Sequence, residues 1–140
     1  MKIETLNHNK LKSILSIFNE ARKSAKGLSD KVYSLSEFTA QVEGEEILVV
    51  KINGVAIGFV SVWCQDNFIH HLYVSPKYQR KKIGKVLLQE CQNRYGLPLS
   101  LKCVDSNIEA CSFYERNGWI VKSKEIDNEG PYKLYGLLDV

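Results

Sequence analysis

Apolar and polar positions change their period along this 140-residue chain, and each change marks an element. Lys2 to Leu6 reads as a short strand, after which Leu11, Ile14, Leu15 and Phe18 recur at helical spacing. A second helix is predicted over Leu35 to Val42. Two β-rich runs follow, Ile47 to Ile52 and Val55 to Trp63, joined by Asn53-Gly54, a dipeptide suited to a two-residue hairpin turn. Asp66-Asn67 turns the chain again into Phe68 to Val74. Ile83, Leu87, Cys91 and Tyr95 then share one helical face, and Leu99 to Val104 is a further strand. Ser106-x-x-Glu109 has the form of a capping box, Ala110, Phe113 and Tyr114 make the apolar patch of a last helix, and Gly118 after Asn117 suits a left-handed stop. Trp119 to Ile126 and Tyr132 to Leu138 close the pattern as two strands. With no internal repeat, low-complexity tract or Pro/Gly-rich linker, residues 1–140 are expected to form a single domain.

One junction is chemically unusual. Between the strand ending at Val74 and the helix beginning near Ile83, the chain carries Lys77, Arg80, Lys81 and Lys82, with Lys85 just beyond and no acidic residue among them. A helix start offers unpaired N–H groups and the positive end of the helix dipole, so an anion placed there gains hydrogen bonds and electrostatic stabilisation together. Gly84 permits close approach of a ligand to the backbone. The pattern predicts a ligand with several phosphates.

Composition narrows the context. The chain is 44% hydrophobic and 25% charged, as expected of a globular domain with its own core, and its net charge of +3 does not by itself call for nucleic acid. No apolar run approaches the length of a membrane span and the first residues lack a secretory pattern, so a cytoplasmic location and no membrane partner are expected. Cys64, Cys91, Cys103 and Cys111 form no C-x-x-C pair and fit buried thiols better than disulfides or a zinc site.

Two segments carry a family resemblance. Gln79 to Gly84 matches (R/Q)-x-x-G-x-(G/A) except that Lys82 stands at the inner glycine, and Asn107 to Trp119 matches N-x-x-A-x-x-F-Y-x-x-x-G-(F/W) in full. With the element order, these resemble the GCN5-related N-acetyltransferases over nearly the whole chain. The resemblance implies an α/β (α+β) fold, with a mixed, mostly antiparallel twisted sheet of about six to seven strands flanked by four helices.

It also implies a reaction. Acetyl-CoA would lie where the strand ending at Val74 splays from Leu99 to Val104, its pantetheine arm pairing with Leu72, Tyr73 and Val74 like an added strand. The Val74 N–H would hold the thioester oxygen as it becomes an oxyanion. Gln79 and the N–H groups of Arg80, Lys81, Lys82, Ile83, Gly84 and Lys85 would meet the pyrophosphate. Asn107 is either a pantetheine contact or an ordinary residue of a first helical turn. Tyr114 matches the family tyrosine beside the cofactor sulfur, as general acid or hydrogen-bond donor. His70 is the candidate base for the amine, and strand alternation is expected to send His70 and His71 to opposite faces. Neither Cys103 nor Cys111 has an evident activating base, which favours direct attack in a ternary complex. No metal is expected.

Other readings stay open at this level. The basic cluster could serve nucleic acid, but no aromatic stacking platform accompanies it, and a non-catalytic acyl-CoA sensor would keep the cofactor site without a working base. The family places the acceptor near Ser24 to Tyr33 and Asp127 to Tyr132, where Asp127 and Glu129 could attract a cationic amine. An exposed last strand could support a homodimer.

Overall fold

The computed structural model describes residues 1–25, 28–79 and 82–138. Its organisation starts from β2 (Glu46–Ile52), where consecutive apolar residues serve opposite faces. Ile47 and Val49 join one buried cluster with Leu11, Ile14, Phe18 and Phe38. Leu48 and Val50 join another with Ile83, Leu87, Cys91 and Tyr135. The sheet is therefore covered on both sides, by α1 (Lys12–Ser24) and α2 (Leu35–Gln41) on one and by α3 (Ile83–Tyr95) and α4 (Ile108–Arg116) on the other.

The remaining strands are β1 (Lys2–Thr5), β3 (Val55–Trp63), β4 (Phe68–Val74), β5 (Leu99–Val104), β6 (Ile120–Asp127) and β7 (Gly130–Leu137), in the spatial order β1-β2-β3-β4-β5-β7-β6. Every pairing is antiparallel except β4 with β5. This is the expected mixed seven-stranded sheet with four helices. Asn53 and Gly54 both adopt positive φ, 51° and 78°, as a hairpin turn of matching twist requires. No helix among the described residues is long and apolar enough to cross a membrane.

Two local readings need correction. The α4 cap is Asn107, whose side chain accepts from the Ala110 N–H at 3.3 Å, and not Ser106 with Glu109. The Asn107 N–H bonds the Val104 carbonyl at 3.1 Å, so the chain is still turning at Ser106 and the helix starts one residue later. The last two strands run Ile120–Asp127 and Gly130–Leu137, shifted by one and two residues because their tight turn takes only residues 128 and 129.

The feature that positions the site lies in β4. Its register with β3 passes from Ser61↔His71 to Val62↔Ile69, so His70 is an inserted residue, a β-bulge. On its other side β4 pairs with β5 only at Phe68↔Ser100 and Ile69↔Leu101. Pairing ends where the bulge begins. A bulge bends its strand and sharpens the twist, while β5 is held straight by six pairings to β7, from Leu99 to Val104. The two strands therefore diverge beyond Ile69.

His71 is 6% exposed and packs edge-on against Phe18 at 5.2 Å between ring centroids. Burial first, then the neighbouring His70 and Arg22, pushes its pKa well below the ordinary histidine range. Below about pH 6.5 the unfolded chain then binds a proton that the folded chain refuses, so stability falls with pH by at most about 1.4 kcal/mol per unit. Urea unfolding between pH 7.5 and 5.5 is expected to show this decline, and His71→Phe, which keeps a ring against Phe18, to flatten it. Equal slopes for the two proteins would mean that His71 is not held neutral.

Candidate active site

The splay exposes one edge of β4. The Ser75 N–H donates to the Ile57 carbonyl of β3 at 2.8 Å, so by strand alternation the Val74 N–H points away from β3, into the opening toward β5. The Val74 carbonyl on the same edge accepts from Gln79 Nε2 at 3.2 Å. Gln79 thus braces the turn after β4.

That turn is a short 3₁₀ segment, Pro76–Tyr78, and it leads to Lys82 at the cap of α3. Arg80 and Lys81, two of the expected phosphate contacts, lie outside the described residues. The first α3 hydrogen bond runs from the Val86 N–H to the Lys82 carbonyl at 3.1 Å. The N–H groups of Ile83, Gly84 and Lys85 consequently have no acceptor within the helix, as anion binding at this terminus would need. Lys82 and Lys85 are exposed beside them.

Across the opening, α4 places Tyr114 among Phe113, Trp119 and Tyr135, with ring centroids 5.3, 5.9 and 5.8 Å away. Its backbone is fixed as well, since the Tyr114 carbonyl accepts from the Asn117 and Trp119 N–H groups at 3.0 and 3.1 Å. The Tyr114 hydroxyl has no hydrogen-bond partner among the described residues. Burial, followed by nearby Cys103, Tyr73 and Cys111, raises its pKa well above the usual phenol value, so the phenol stays neutral. Cys103 and Cys111 face each other with sulfurs 3.5 Å apart, and burial raises the Cys103 thiol. That environment deactivates a nucleophile.

The bulge at His70 overturns the alternation expected for the histidine pair. One inserted residue cancels one reversal of side, so His70 and His71 stack on one face, ring centroids 3.8 Å apart and planes 26° from parallel. His70 Nδ1 meets Glu45 Oε2 at 2.5 Å, and the other Glu45 oxygen accepts from Ser61 Oγ. The His70 side chain remains 36% exposed while that of Glu45 is 7% exposed. A neutral His70 bonded through Nδ1–H presents Nε2 as a free base. Neither Glu45 nor Ser61 stood out in the sequence. Each sits in an ordinary local pattern, and their convergence depends on the register of β3 against β4 and on the turn before β2.

Glu45, His70 and His71 each offer a ligand atom within 4.8 Å of the others, a donor set of the kind that binds transition metals. The stack argues against a shared ion. A metal lies in the plane of each imidazole that binds it, and two nearly parallel planes 3.8 Å apart do not converge close by.

A family model, the acetyltransferase (GNAT) domain, matches residues 19–132. The chain belongs to the GNAT acetyltransferases. Peptidyl-lysine N-acetyltransferase YiaC of Escherichia coli (strain K12) is 36% identical over 67 residues. That match covers 48% of this chain and 44% of YiaC, less than half the length of that relative. Among solved structures, a GCN5-related N-acetyltransferase from Rhodopseudomonas palustris superposes with a TM-score of 0.83 at 19% identity, covering 99% of this chain and 95% of that one. PaiA N-acetyltransferase from Thermoplasma acidophilum, solved in complex with coenzyme A, has a TM-score of 0.74 at 23% identity, with coverage of 96% and 98%.

The GNAT hallmark can now be given local reasons. Lys82, at the inner glycine, has φ 64° and ψ 18°, the left-handed region in which a Cβ costs about 1–2 kcal/mol. Glycine there relieves backbone strain, and this chain carries that strain while gaining a cation beside the helix terminus. At Gly84 an added Cβ would lie 3.4 Å from Phe113 Cζ. That is ordinary contact, so one methyl fits there and only a bulkier side chain would press on α4. Gly84→Ala is expected to fold normally, whereas Gly84→Val should lose about 1–3 kcal/mol by overpacking against Phe113, read by denaturant unfolding without ligand. Wild-type stability in the valine variant would leave ligand approach as the sole reason for the glycine.

Proposed function

We propose that this GNAT protein transfers the acetyl group of acetyl-CoA to a primary amine by direct attack in a ternary complex. The observation that carries the reading is the β4–β5 divergence, which opens beside both the free first turn of α3 and the Tyr114 phenol. The coenzyme A in the PaiA neighbour and the amine acceptor in the name of YiaC support the same assignment.

Bound acetyl-CoA supplies the activated acyl group, and the chain's residues do the rest. Leu72, Tyr73 and Val74 offer a strand edge to the pantetheine arm, and Ile83 to Lys85 offer N–H groups to the pyrophosphate. Asn107 spends Oδ1 on its cap, which leaves Nδ2 for the cofactor. The Val74 N–H donates to the thioester oxygen as negative charge develops.

Amine activation is the larger electrostatic task. A lysine-like amine requires about 4.6 kcal/mol to shed its proton at pH 7. His70 Nε2 takes that proton, and Glu45, held by Ser61, fixes the tautomer and stabilises the resulting imidazolium. At the departing sulfur the raised pKa of Tyr114 favours one of its two expected roles. Proton transfer from an ordinary phenol to a thiolate is already uphill by about 2 kcal/mol, and burial makes it more so. Tyr114 therefore acts as a hydrogen-bond donor. The raised Cys103 thiol supports direct attack over an acetyl-cysteine route.

Calorimetric titration with acetyl-CoA followed by turnover of an amine panel tests the assignment. Binding with no turnover of any amine would replace catalysis with a sensor role. Tyr114→Phe is expected to lower kcat by about 10²-fold with little change in acetyl-CoA affinity, and an unaltered kcat would remove Tyr114 from the mechanism. His70→Gln should lower kcat/KM by about 10²–10⁴-fold, with Glu45→Gln reproducing part of the loss. Wild-type kcat/KM in His70→Gln would assign the proton to another group. Chelator treatment is expected to leave turnover intact, and a loss restored by zinc would convert the Glu45 cluster into a metal site.

A further inference from the structure

Arg22 on α1 is 7% exposed, yet no carboxylate among the described residues lies within ion-pair distance of its guanidinium. A buried cation without an anion is costly, so its surroundings need an account. Two aromatic faces support it, the guanidinium carbon lying 5.3 Å from the Phe18 centroid and 5.4 Å from the Tyr33 centroid. A ring face offers no lone pair to a guanidinium N–H. Nη1 donates to the Tyr73 hydroxyl at 3.2 Å, while Nε is buried with no partner at all. What remains is the edge formed by Nε and Nη2, two parallel donors whose spacing matches the two oxygens of a carboxylate.

A second, independent atom marks the same place. Only three buried side-chain polar atoms among the described residues lack a hydrogen-bond partner, and after Arg22 Nε another is His71 Nε2. Its ring packs against Phe18 and lies 5.9 Å from the Tyr73 ring. The two unsatisfied groups flank Tyr73, the residue before Val74. They belong to the α1 side of the sheet, opposite the α3 face where the phosphates would bind. The arrangement is held from outside, because Asn19 exchanges two hydrogen bonds with the Tyr33 backbone, at 2.8 and 3.0 Å, and so pins Tyr33 over Arg22.

We propose that the acceptor carries a carboxylate besides the reacting amine, as a free amino acid or a peptide with an exposed carboxylate does, and that Arg22 binds it through its unpaired edge. The proposal rests on the acetyl-transfer reading and adds the chemical class of acceptor to it. Arg22 satisfies its donors only when that substrate arrives, and an amine lacking the carboxylate leaves it unpaired.

The test compares matched acceptors with acetyl-CoA as donor. L-lysine is set against 1,5-diaminopentane, and a lysine-containing tripeptide with a free C-terminus against its amide. The wild-type protein is expected to prefer the carboxylate-bearing member of at least one pair by about 10–100-fold in kcat/KM. The preferred pair tells free amino acid from peptide. Arg22→Lys, which keeps the charge without the fork, and Arg22→Met should both shrink that ratio toward one. Equal rates within both pairs, a ratio unmoved by either variant, or no turnover or calorimetric binding of any carboxylate-bearing acceptor overturns the proposal. So does a preference for succinyl-CoA over acetyl-CoA that disappears in Arg22→Met, which would put the carboxylate on the donor. A separate acetyl-CoA titration, with turnover of amines that carry no carboxylate, reads the transferase assignment alone, so its failure is not confused with failure of the acceptor class.

Discussion

The end of pairing between β4 and β5 at Ile69↔Leu101 is the constraint on which the site depends. A sheet that stayed zipped to Val74 would satisfy its backbone groups internally and leave no edge for a peptide-like ligand. The bulge at His70 prevents that by bending β4 while β7 holds β5 in line. Nothing on β4 beyond Ile69 is therefore committed to β5. The opening is a property of the backbone.

The same inserted residue organises the polar side of the site. By cancelling one alternation it stacks His70 on His71 and brings His70 Nδ1 to Glu45, which Ser61 holds from the other oxygen. A buried carboxylate with both oxygens occupied has few alternative geometries, so the tautomer it imposes on His70 is fixed by the fold. One backbone irregularity thus accounts for the cofactor edge and for the orientation of the proposed base. Separate explanations for the two are unnecessary.

The element order was legible because most segments state their period locally, and the Asn53-Gly54 turn and the Val55–Trp63 and Phe68–Val74 strands appear as read. The residues proposed for the cofactor were legible as candidates too, since they are contiguous in the chain from Val74 to Lys85 and from Asn107 to Trp119. The acceptor face was not. Glu45 reaches His70 across 25 positions and Arg22 reaches Tyr73 across 51, and neither pairing leaves a periodic trace. The histidine pair failed for a sharper reason. Alternation is a rule for unbroken strands, and no residue in Phe68 to Val74 announces a bulge as glycine or proline might. The Ser106 cap failed because Asn107, one step later, is an equally good cap and backbone geometry chose between them.

The two buried charged groups near the site differ in how completely the protein answers them. Glu45 has a donor for each carboxylate oxygen, and a group so satisfied gains little from a ligand. Arg22 has one hydrogen-bonded nitrogen, two aromatic faces and a partnerless Nε. A core selected only for stability would replace such a group with an apolar side chain of similar volume, because a half-answered buried charge is worse than none. Its retention beside a histidine that is also missing a partner follows if the missing groups belong to the substrate. The proton-handling side of the site is then complete in the free protein, and the recognition side is completed only by an acceptor of the right charge.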